Sequence, residues 1–162
     1  MRFKRKNIVF LILTVLWMLF IFYMSSKDAV TSSGYSSRVG VTVCEIFIPG
    51  FRDKEPFEKA AAVAAIETPI RKCAHFFEFM MLGILAYHAF SSFRVSFIVS
   101  VLYAVSDEVH QLFIPGRSCE LADMLIDTSG VILSLLIVIG AGRIMKTGKK
   151  QKNESFTEQK KP

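Results

Sequence analysis

Residues 8–24 read IVFLILTVLWMLFIFYM, an apolar run of 17 residues without a charge. Four basic residues lie just before it, within positions 2–6. A basic flank before such a run is typical of a signal peptide or of a membrane anchor. The residues at its end, Met24-Ser25-Ser26, form a poor signal-peptidase site. The sequence therefore predicts an uncleaved first membrane span over residues 8–24.

The composition of the whole chain agrees with a membrane protein. Of 162 residues, 52% are hydrophobic and 21% are charged, and the mean hydropathy is +0.41. So much apolar material excludes disorder for most of the chain. The sequence contains no glycine-rich phosphate loop, so a soluble nucleotide-binding enzyme is not indicated. The net charge of +6 fits basic flanks of membrane spans better than a surface for nucleic acid.

Three further segments are predicted to cross the membrane. They are residues 73–90, 95–114 and 121–142, and their charge-free parts contain only 12 to 15 residues. A hydrocarbon core requires about 20 apolar residues, so each segment is either a full span with a polar end or a buried segment of another fold. We predict the former: an all-α, multi-pass protein of the cell membrane with four transmembrane helices in a membrane domain over residues 8–142.

The distribution of basic residues predicts that both termini are cytoplasmic. In this topology, residues 1–7, 91–94 and 143–162 are cytoplasmic and hold 12 basic residues in 31 positions. Residues 25–72 and 115–122 are outside and hold 8 in 56. The bias has the sign that the positive-inside rule requires. The basic tail, residues 143–162, is predicted to be disordered.

The first outer loop, residues 25–72, is predicted to contain short amphipathic helices that lie on the outer membrane surface. One apolar helical face is formed by Val39, Val43, Ile46 and Phe47. Residues 55–67 are rich in alanine and predict a second helix, after a turn at Pro49-Gly50. Thr68-Pro69 then resembles the N-cap and first position of the second span.

Helical spacing gives each of the last three spans one polar stripe. The stripes contain Arg71, His75 and Glu78 in the second span, Asp107 and Gln111 in the third, and Asp123, Asp127, Gly130 and Ser134 in the fourth. A charge that faces lipid costs up to about 3 kcal/mol. The stripes are therefore expected to face one another in a polar layer in the outer half of the membrane. Gly130 and Ser134 also predict a close helix contact.

Cations and a tight turn predict anion binding at the outer side. Pro115-Gly116-Arg117 is expected to expose backbone amides, two helix N-termini are expected to point outward, and Arg71 and Lys72 add positive charge. Two alternatives stay open: Arg117 only pairs with Glu108, Glu120 or Asp123, or the whole layer is a salt-bridge network that locks the bundle.

Catalysis is a further open alternative. His75 is a candidate general acid or base that Glu78 or Asp107 would orient, so these three are the catalytic candidates. Ser106 and Ser118 are candidate nucleophiles by position alone. The residue types suit metal ligation, but the His-Glu-x-x-His zinc motif is absent. We predict neither a metal site nor a cofactor.

Three segments of the sequence resemble the VanZ-like family of membrane proteins. Residues 71–83 are similar to its R-K-x-x-H-F-x-E-Y-x-x-L-G segment, residues 107–117 to its D-E-x-x-Q-x-F-x-P-G-R segment, and residues 123–130 to its D-x-x-x-N-x-x-G segment. The chain departs from the family at Phe79, where tyrosine is usual, and at Asp127, where asparagine is usual. The second departure adds a charge to the layer.

The resemblance implies a bacterial multi-pass membrane protein. Founding members of the family are associated with resistance to teicoplanin, a lipid-tailed glycopeptide that acts on cell-wall precursors. The resemblance supplies no reaction.

The predicted function is action at the outer leaflet on an anionic or amphiphilic cell-envelope ligand, such as a lipid-linked precursor or a glycopeptide, with lowered glycopeptide susceptibility as the consequence. Alternatives are an intramembrane hydrolase or transferase of phospholipids or glycolipids, and a structural or regulatory bundle. Expected partners are the lipid bilayer and this ligand, without nucleic acid, and homo-oligomerisation stays open. The predicted ligand-binding residues are Arg71, Lys72, His75, Glu78, Asp107, Glu108, Gln111, Arg117, Asp123 and Asp127.

Overall fold

The computed structural model describes residues 5–158 and, within them, contains helices and no strands, which confirms the all-α prediction. The five α-helices are α1 (Arg5–Ser25), α2 (Ala29–Phe47), α3 (Pro56–Phe90), α4 (Phe93–Gln111) and α5 (Leu121–Glu158), with a short 3-10 helix (Phe51–Asp53) between α2 and α3.

Three of these helices are long and apolar enough to cross a membrane: α1, α3 and the Leu121–Ile144 part of α5. The chain is thus a membrane protein by the character of its helices. α4 occupies the predicted third span and, at 19 residues, is about 28 Å long. Its polar residues Arg94, Asp107 and Glu108 keep it below the hydropathy of the other three.

α3 is the central helix and packs against all four others. The fully buried core contains Ile21 of α1, Phe79 and Leu82 of α3, Ala104 of α4, and Val131 and Leu135 of α5. At one end of the bundle, the Asn7 side-chain amide donates to the carbonyl of Ala89 at 3.0 Å and ties the start of α1 to the end of α3. A long-range polar contact of this kind has no signature in the sequence.

α3 and α5 cross at very short distance because glycines line their contact. A Cβ at Gly130 would lie 2.4 Å from the carbonyl oxygen of Phe76, and a Cβ at Gly83 would lie 2.1 Å from Oγ of Ser134. Apolar burial drives helix association weakly inside lipid, so close van der Waals packing of small residues contributes much of the stability. The predicted close contact at Gly130 and Ser134 is confirmed.

Residues 25–72 differ from the predicted loop at Pro69. Residues 55–67 do not form a separate helix, because α3 runs without a break from Pro56 to Phe90 and includes Pro69. Proline removes a single backbone donor, and the packing of α3 against α2 on one side of it and the bundle on the other keeps the helix continuous. Thr68-Pro69 is therefore not a helix start.

α2 contains the predicted helix around residues 39–47, but it begins at Ala29 and packs against α3 through small side chains. Asp28 caps its start by accepting from the amide of Thr31 at 2.7 Å. Its buried residues are Ser36, Gly40 and Cys44, and Gly40 lies against the side chains of α3. The predicted apolar face is left outward, with Val39, Ile46 and Phe47 exposed.

The C-terminal segment also differs from its prediction. Residues 143–158 continue α5 as helix, where the sequence predicted disorder; residues 159–162 and 1–4 lie outside the described part. Lysine, glutamine and glutamate are good helix formers and no proline interrupts them, so a basic, polar segment extends a helix that the membrane domain has already nucleated.

Candidate functional site

α3, α4, α5 and the α4–α5 loop bring the ten predicted ligand-binding residues together at the end of the bundle where α1 ends and α5 begins. We call these residues the polar layer. Asp107 and Gln111 are 3% and 5% exposed, and Glu108 and Asp127 are fully buried. The other six, which are partly buried, are Arg71, Lys72, His75, Glu78, Arg117 and Asp123.

A chain of hydrogen bonds runs through Asp107. Oδ2 of Asp107 accepts from the Ser25 hydroxyl at 2.8 Å and from the Gln111 amide at 3.1 Å. Oε1 of Gln111 in turn accepts from Arg117 at 3.2 Å. The sequence analysis missed Ser25 as a member of the site. Its position directly after the apolar run of α1 was the available signal, because it places a hydroxyl at the depth of the layer.

Lys72, not Arg117, is the partner of Asp123. Nζ of Lys72 hydrogen-bonds Oδ1 of Asp123 and lies 3.7 Å from a carboxylate oxygen of Glu120. Arg117 instead donates to the neutral Gln111. The alternative that Arg117 serves to pair with Asp123, Glu108 or Glu120 is therefore wrong, since none of these lies within ion-pair distance of Arg117 among the described residues.

Charge reversal tests the Lys72–Asp123 pair. Lys72→Asp and Asp123→Lys are each expected to lower the thermal stability of the purified protein, and the double variant to recover most of the loss. Both side chains are partly exposed, so we expect about 1–2 kcal/mol for each single variant. Thermal unfolding in detergent measures the effect, and additive losses in the double variant would contradict the pairing.

Glu108 fixes the start of α5. Its Oε2 accepts from the backbone amide of Glu120 at 3.1 Å, directly before α5 begins at Leu121. Helix N-terminal amides lack partners within the helix, and a carboxylate there is stabilised by the helix dipole. The carboxylate of Glu108 therefore already occupies part of the N-terminus of α5, which the sequence analysis predicted to attract an anion from outside the protein.

The predicted platform of exposed amides needs two corrections. The amide of Arg117 is used within the turn and donates to the carbonyl of Ile114 at 3.1 Å. The second outward N-terminus is also displaced, because α3 begins at Pro56, about 22 Å along the helix from Arg71. Gly116 has φ +74° and lies close to Ala29, whose amide donates to the Pro115 carbonyl at 3.2 Å, so the turn instead anchors α2.

His75 is nearest to Asp127, not to the predicted Glu78 or Asp107. Its Nδ1 lies 3.9 Å from Oδ1 of Asp127, which is too long for a hydrogen bond. The second histidine at this end of the bundle is His110. Its Nε2 lies 3.1 Å from the Ser26 hydroxyl, and its ring stacks on Phe22 with the ring centres 4.4 Å apart. His110 thus binds α1, whereas His75 faces the layer.

Several buried polar atoms of the layer have no hydrogen-bond partner in the described part of the chain. They are His75 Nδ1, Asp107 Oδ1, Glu108 Oε1, Arg117 Nε and both carboxylate oxygens of Asp127. A buried polar atom without a partner costs about 1–3 kcal/mol, and native proteins satisfy nearly all of them with protein, water or ligand. Asp127 is the extreme case, since it is fully buried and both oxygens are free.

Two small cavities open into the polar layer. One of about 80 Å³ is lined by Arg71, His75, Glu78 and Arg117 together with residues of α1 and α2. The other, of about 60 Å³, is lined by Arg71, His75, Arg117, Gln111 and Asp123. Arg71, His75 and Arg117 line both cavities. The two guanidinium groups therefore meet any molecule that enters either one.

Acidic groups outnumber fixed cations in and around the layer. Arg71, Lys72 and Arg117 are the three cations, and the six carboxylates are Glu78, Asp107, Glu108, Glu120, Asp123 and Asp127. Burial lowers the pKa of Arg117, and the neighbouring Arg71 lowers it further, while the carboxylates of Asp107 and Glu108 raise it. Arginine stays charged despite such a shift. Within the described residues, no group of three or more His, Cys, Asp or Glu has metal-site geometry.

A family model described as VanZ/LLP1 matches residues 10–145, which include every residue of the polar layer. No curated protein and no solved structure matches the chain.

Proposed function

Because this chain belongs to the VanZ/LLP1 family, we propose that it is a four-span protein of the cell membrane that binds the anionic headgroup of an amphiphilic envelope molecule. The polar layer lies at the outer leaflet in this proposal, and both termini are cytoplasmic. Lipid-linked wall precursors and glycopeptides of the teicoplanin type are ligands of this class, and lowered glycopeptide susceptibility is the proposed consequence.

The packing of α4 supports its assignment as a membrane span, the third of four in chain order. Asp107, Glu108 and Gln111 are buried against the rest of the bundle, so the least apolar part of the helix is removed from lipid. Ile98 and Leu102 are exposed on α4, and an apolar outward face suits a lipid contact. Four spans also place both basic ends of the chain on one side, in agreement with the positive-inside rule.

The observation that carries the proposal is that Arg71 and Arg117 line both cavities of the layer. Among the described residues, Arg71 takes part in no ion pair, and Nε of Arg117 has no partner. A guanidinium with free donors is well suited to a phosphate or carboxylate, which it binds through two parallel hydrogen bonds.

The excess of carboxylates narrows the ligand class. The free oxygens of Asp107, Glu108 and Asp127 accept hydrogen bonds and repel a bare anion. A headgroup that carries hydroxyl or ammonium donors beside its anionic group satisfies both halves of the layer. Sugar phosphates and zwitterionic headgroups with an N–H ammonium group have this chemistry, whereas a simple anionic detergent and a phosphocholine headgroup lack the donors.

Replacement of Arg117 tests the proposal. In a Gram-positive host that expresses the chain, Arg117→Ala is expected to lower the minimum inhibitory concentration of teicoplanin by fourfold or more relative to the unmodified chain. The matched control is Arg94→Ala, an exposed arginine at the opposite end of α4. Membrane abundance is measured by immunoblot for both variants. Equal tolerance of the two variants at equal abundance would contradict the proposed role.

A hydrolase or transferase is the second candidate function, and the proximity of His75 to Asp127 favours it. The candidate nucleophiles do not support it. Ser106 is exposed and donates to the carbonyl of Tyr103 at 2.8 Å, and the Ser118 hydroxyl donates to Glu120 at 3.2 Å. A water activated by His75 is the remaining route. Release of phosphate or sugar from envelope lipids by the purified protein, lost in His75→Gln, would establish it.

A further inference from the structure

A larger cavity, of about 540 Å³, lies outside the polar layer, between α2 and the first half of α3. Its apolar walls are formed by Val41, Phe51, Ala60, Val63 and Ala64, and we call it the outer groove. Cavities of about 300–1,000 Å³ with mostly apolar walls are typical of small-molecule sites. The sequence analysis did not anticipate this groove.

The charged side chains at the rim of the outer groove already have partners. Arg52 donates to both carboxylate oxygens of Glu45, at 3.3 and 3.2 Å. Lys59 donates to the carbonyl of Arg52 at 2.6 Å, and Glu67 accepts from the Ser37 hydroxyl at 3.1 Å. Arg52 and Glu45 neutralise each other, and Lys59 and Glu67 each already have a hydrogen-bond partner. The apolar walls are therefore the part of the groove that is left for a ligand, and they favour an uncharged, apolar group.

One face of α3 connects the outer groove with the polar layer. Ala60, Ala64 and Glu67 line the groove, and Arg71 and His75 line the polar cavities. These positions follow at intervals of three and four residues, so they lie on the same side of the helix. Glu67 and Arg71 are one turn apart, about 6 Å along the axis.

We propose that the outer groove holds the hydrocarbon chain of a single-chain amphiphile whose anionic headgroup binds at Arg71 and Arg117. This inference rests on the proposed function for the headgroup and adds the place of the chain. In the proposed topology, residues 56–72 of α3 precede the second span and face water. The groove thus offers the chain an apolar site outside the bilayer. Relative to the amphiphile dissolved in water, each methylene that the groove buries tightens binding by up to about fourfold.

A chain-length series tests the groove. The full-length protein in phosphatidylcholine nanodiscs is titrated with lysophosphatidylglycerol carrying chains of roughly 8, 12 or 16 carbons, and binding to empty nanodiscs is subtracted. Affinity, referred to the concentration of ligand free in water, is expected to rise with chain length. Ala64→Trp, an exposed wall position, is expected to fill the groove, weaken the longest ligand about tenfold and flatten the series. Ala65→Trp, its exposed neighbour outside the groove, keeps the series of the unmodified protein.

Arg117→Gln separates the groove from the proposed function. It is expected to weaken every chain length by a similar factor and leave the slope of the series intact. Equal series for Ala64→Trp and Ala65→Trp, with a loss in Arg117→Gln, would overturn the groove and leave the headgroup site. A flattened series in Ala64→Trp with no loss in Arg117→Gln would overturn the headgroup site and leave the groove.

Photocrosslinking provides a second test of the groove. A lysophosphatidylglycerol with a diazirine at the end of its chain is expected to form adducts at Val41 and Phe51. Adducts confined to α1 would overturn the groove.

Discussion

Asp127→Ala is expected to weaken headgroup binding at least tenfold while the purified protein stays at least as stable as the unmodified chain. The carboxylate is fully buried and neither oxygen has a partner among the described residues. Its removal therefore relieves an unpaired buried group, which costs about 1–3 kcal/mol. Binding of lysophosphatidylglycerol is expected to fall at least tenfold, about 1.4 kcal/mol. Titration in nanodiscs and thermal unfolding in detergent measure the two quantities.

Asp127→Asn is the matched control for this prediction. It keeps the shape and an acceptor oxygen, and asparagine is the residue that VanZ-like proteins usually have at this position, so binding is expected to survive. A salt-bridge network predicts the opposite pattern, because removal of one partner of a buried pair is strongly destabilising. Loss of stability in Asp127→Ala with unchanged binding would therefore favour the structural bundle.

Gly130→Ala is expected to produce the largest loss of stability of any glycine-to-alanine substitution in the chain. The added Cβ would lie 2.4 Å from the backbone carbonyl of Phe76, and a backbone atom of a central helix cannot move aside alone. Overpacking of this kind typically costs about 1–3 kcal/mol and occasionally more. The melting temperature and the monodisperse fraction after size-exclusion chromatography report the loss.

Gly140→Ala is the control on the same helix. No atom lies within 4 Å of the Cβ position at Gly140, and alanine is favoured over glycine in a helix by about 1 kcal/mol. The two substitutions are therefore expected to move stability in opposite directions. A neutral Gly130→Ala would contradict the close crossing of α3 and α5.

Seven of the ten residues of the polar layer could be predicted from helix periodicity, whereas Lys72, Glu108 and Arg117 were predicted from their charge and their position beside the polar stripes. Each of the last three spans has its ionisable residues at intervals of three and four, and burial of charge away from lipid forces those stripes together. Asp107, Glu108 and Asp127 are buried as this reasoning requires. The same logic predicted that Gly130 faces a neighbouring helix.

The partners within the layer could not be predicted, because they depend on fractions of a helical turn. Lys72 reaches Asp123 while Arg117 reaches Gln111, and nothing in the sequence separates these options by charge or spacing. Ser25 joins Asp107 only because α1 ends at the right depth. Such choices are made by tertiary packing of the four helices.

The outer half of α3 was misread for a different reason. Proline after threonine is a common helix start, yet Pro69 lies inside α3 because packing on both sides outweighs one missing hydrogen bond. The outer groove depends on this continuity, since its α3 wall precedes Pro69. For α2, the sequence analysis identified the face with the large apolar residues, which the structure leaves exposed. The contact with α3 is instead formed by Gly40 and Cys44.

The central claim is that the polar layer lies at the exterior face of the membrane, and Cys119 tests it directly. This partly exposed residue lies in the α4–α5 loop beside Arg117. With Cys44 and Cys73 replaced by alanine, a membrane-impermeant maleimide applied to intact cells is expected to label Cys119 at once. In a variant with Cys119 also replaced by alanine, Ser92→Cys, in the α3–α4 turn, is expected to react only after permeabilisation. Labelling of Cys119 only after permeabilisation would place the layer in the cytoplasm and contradict the account.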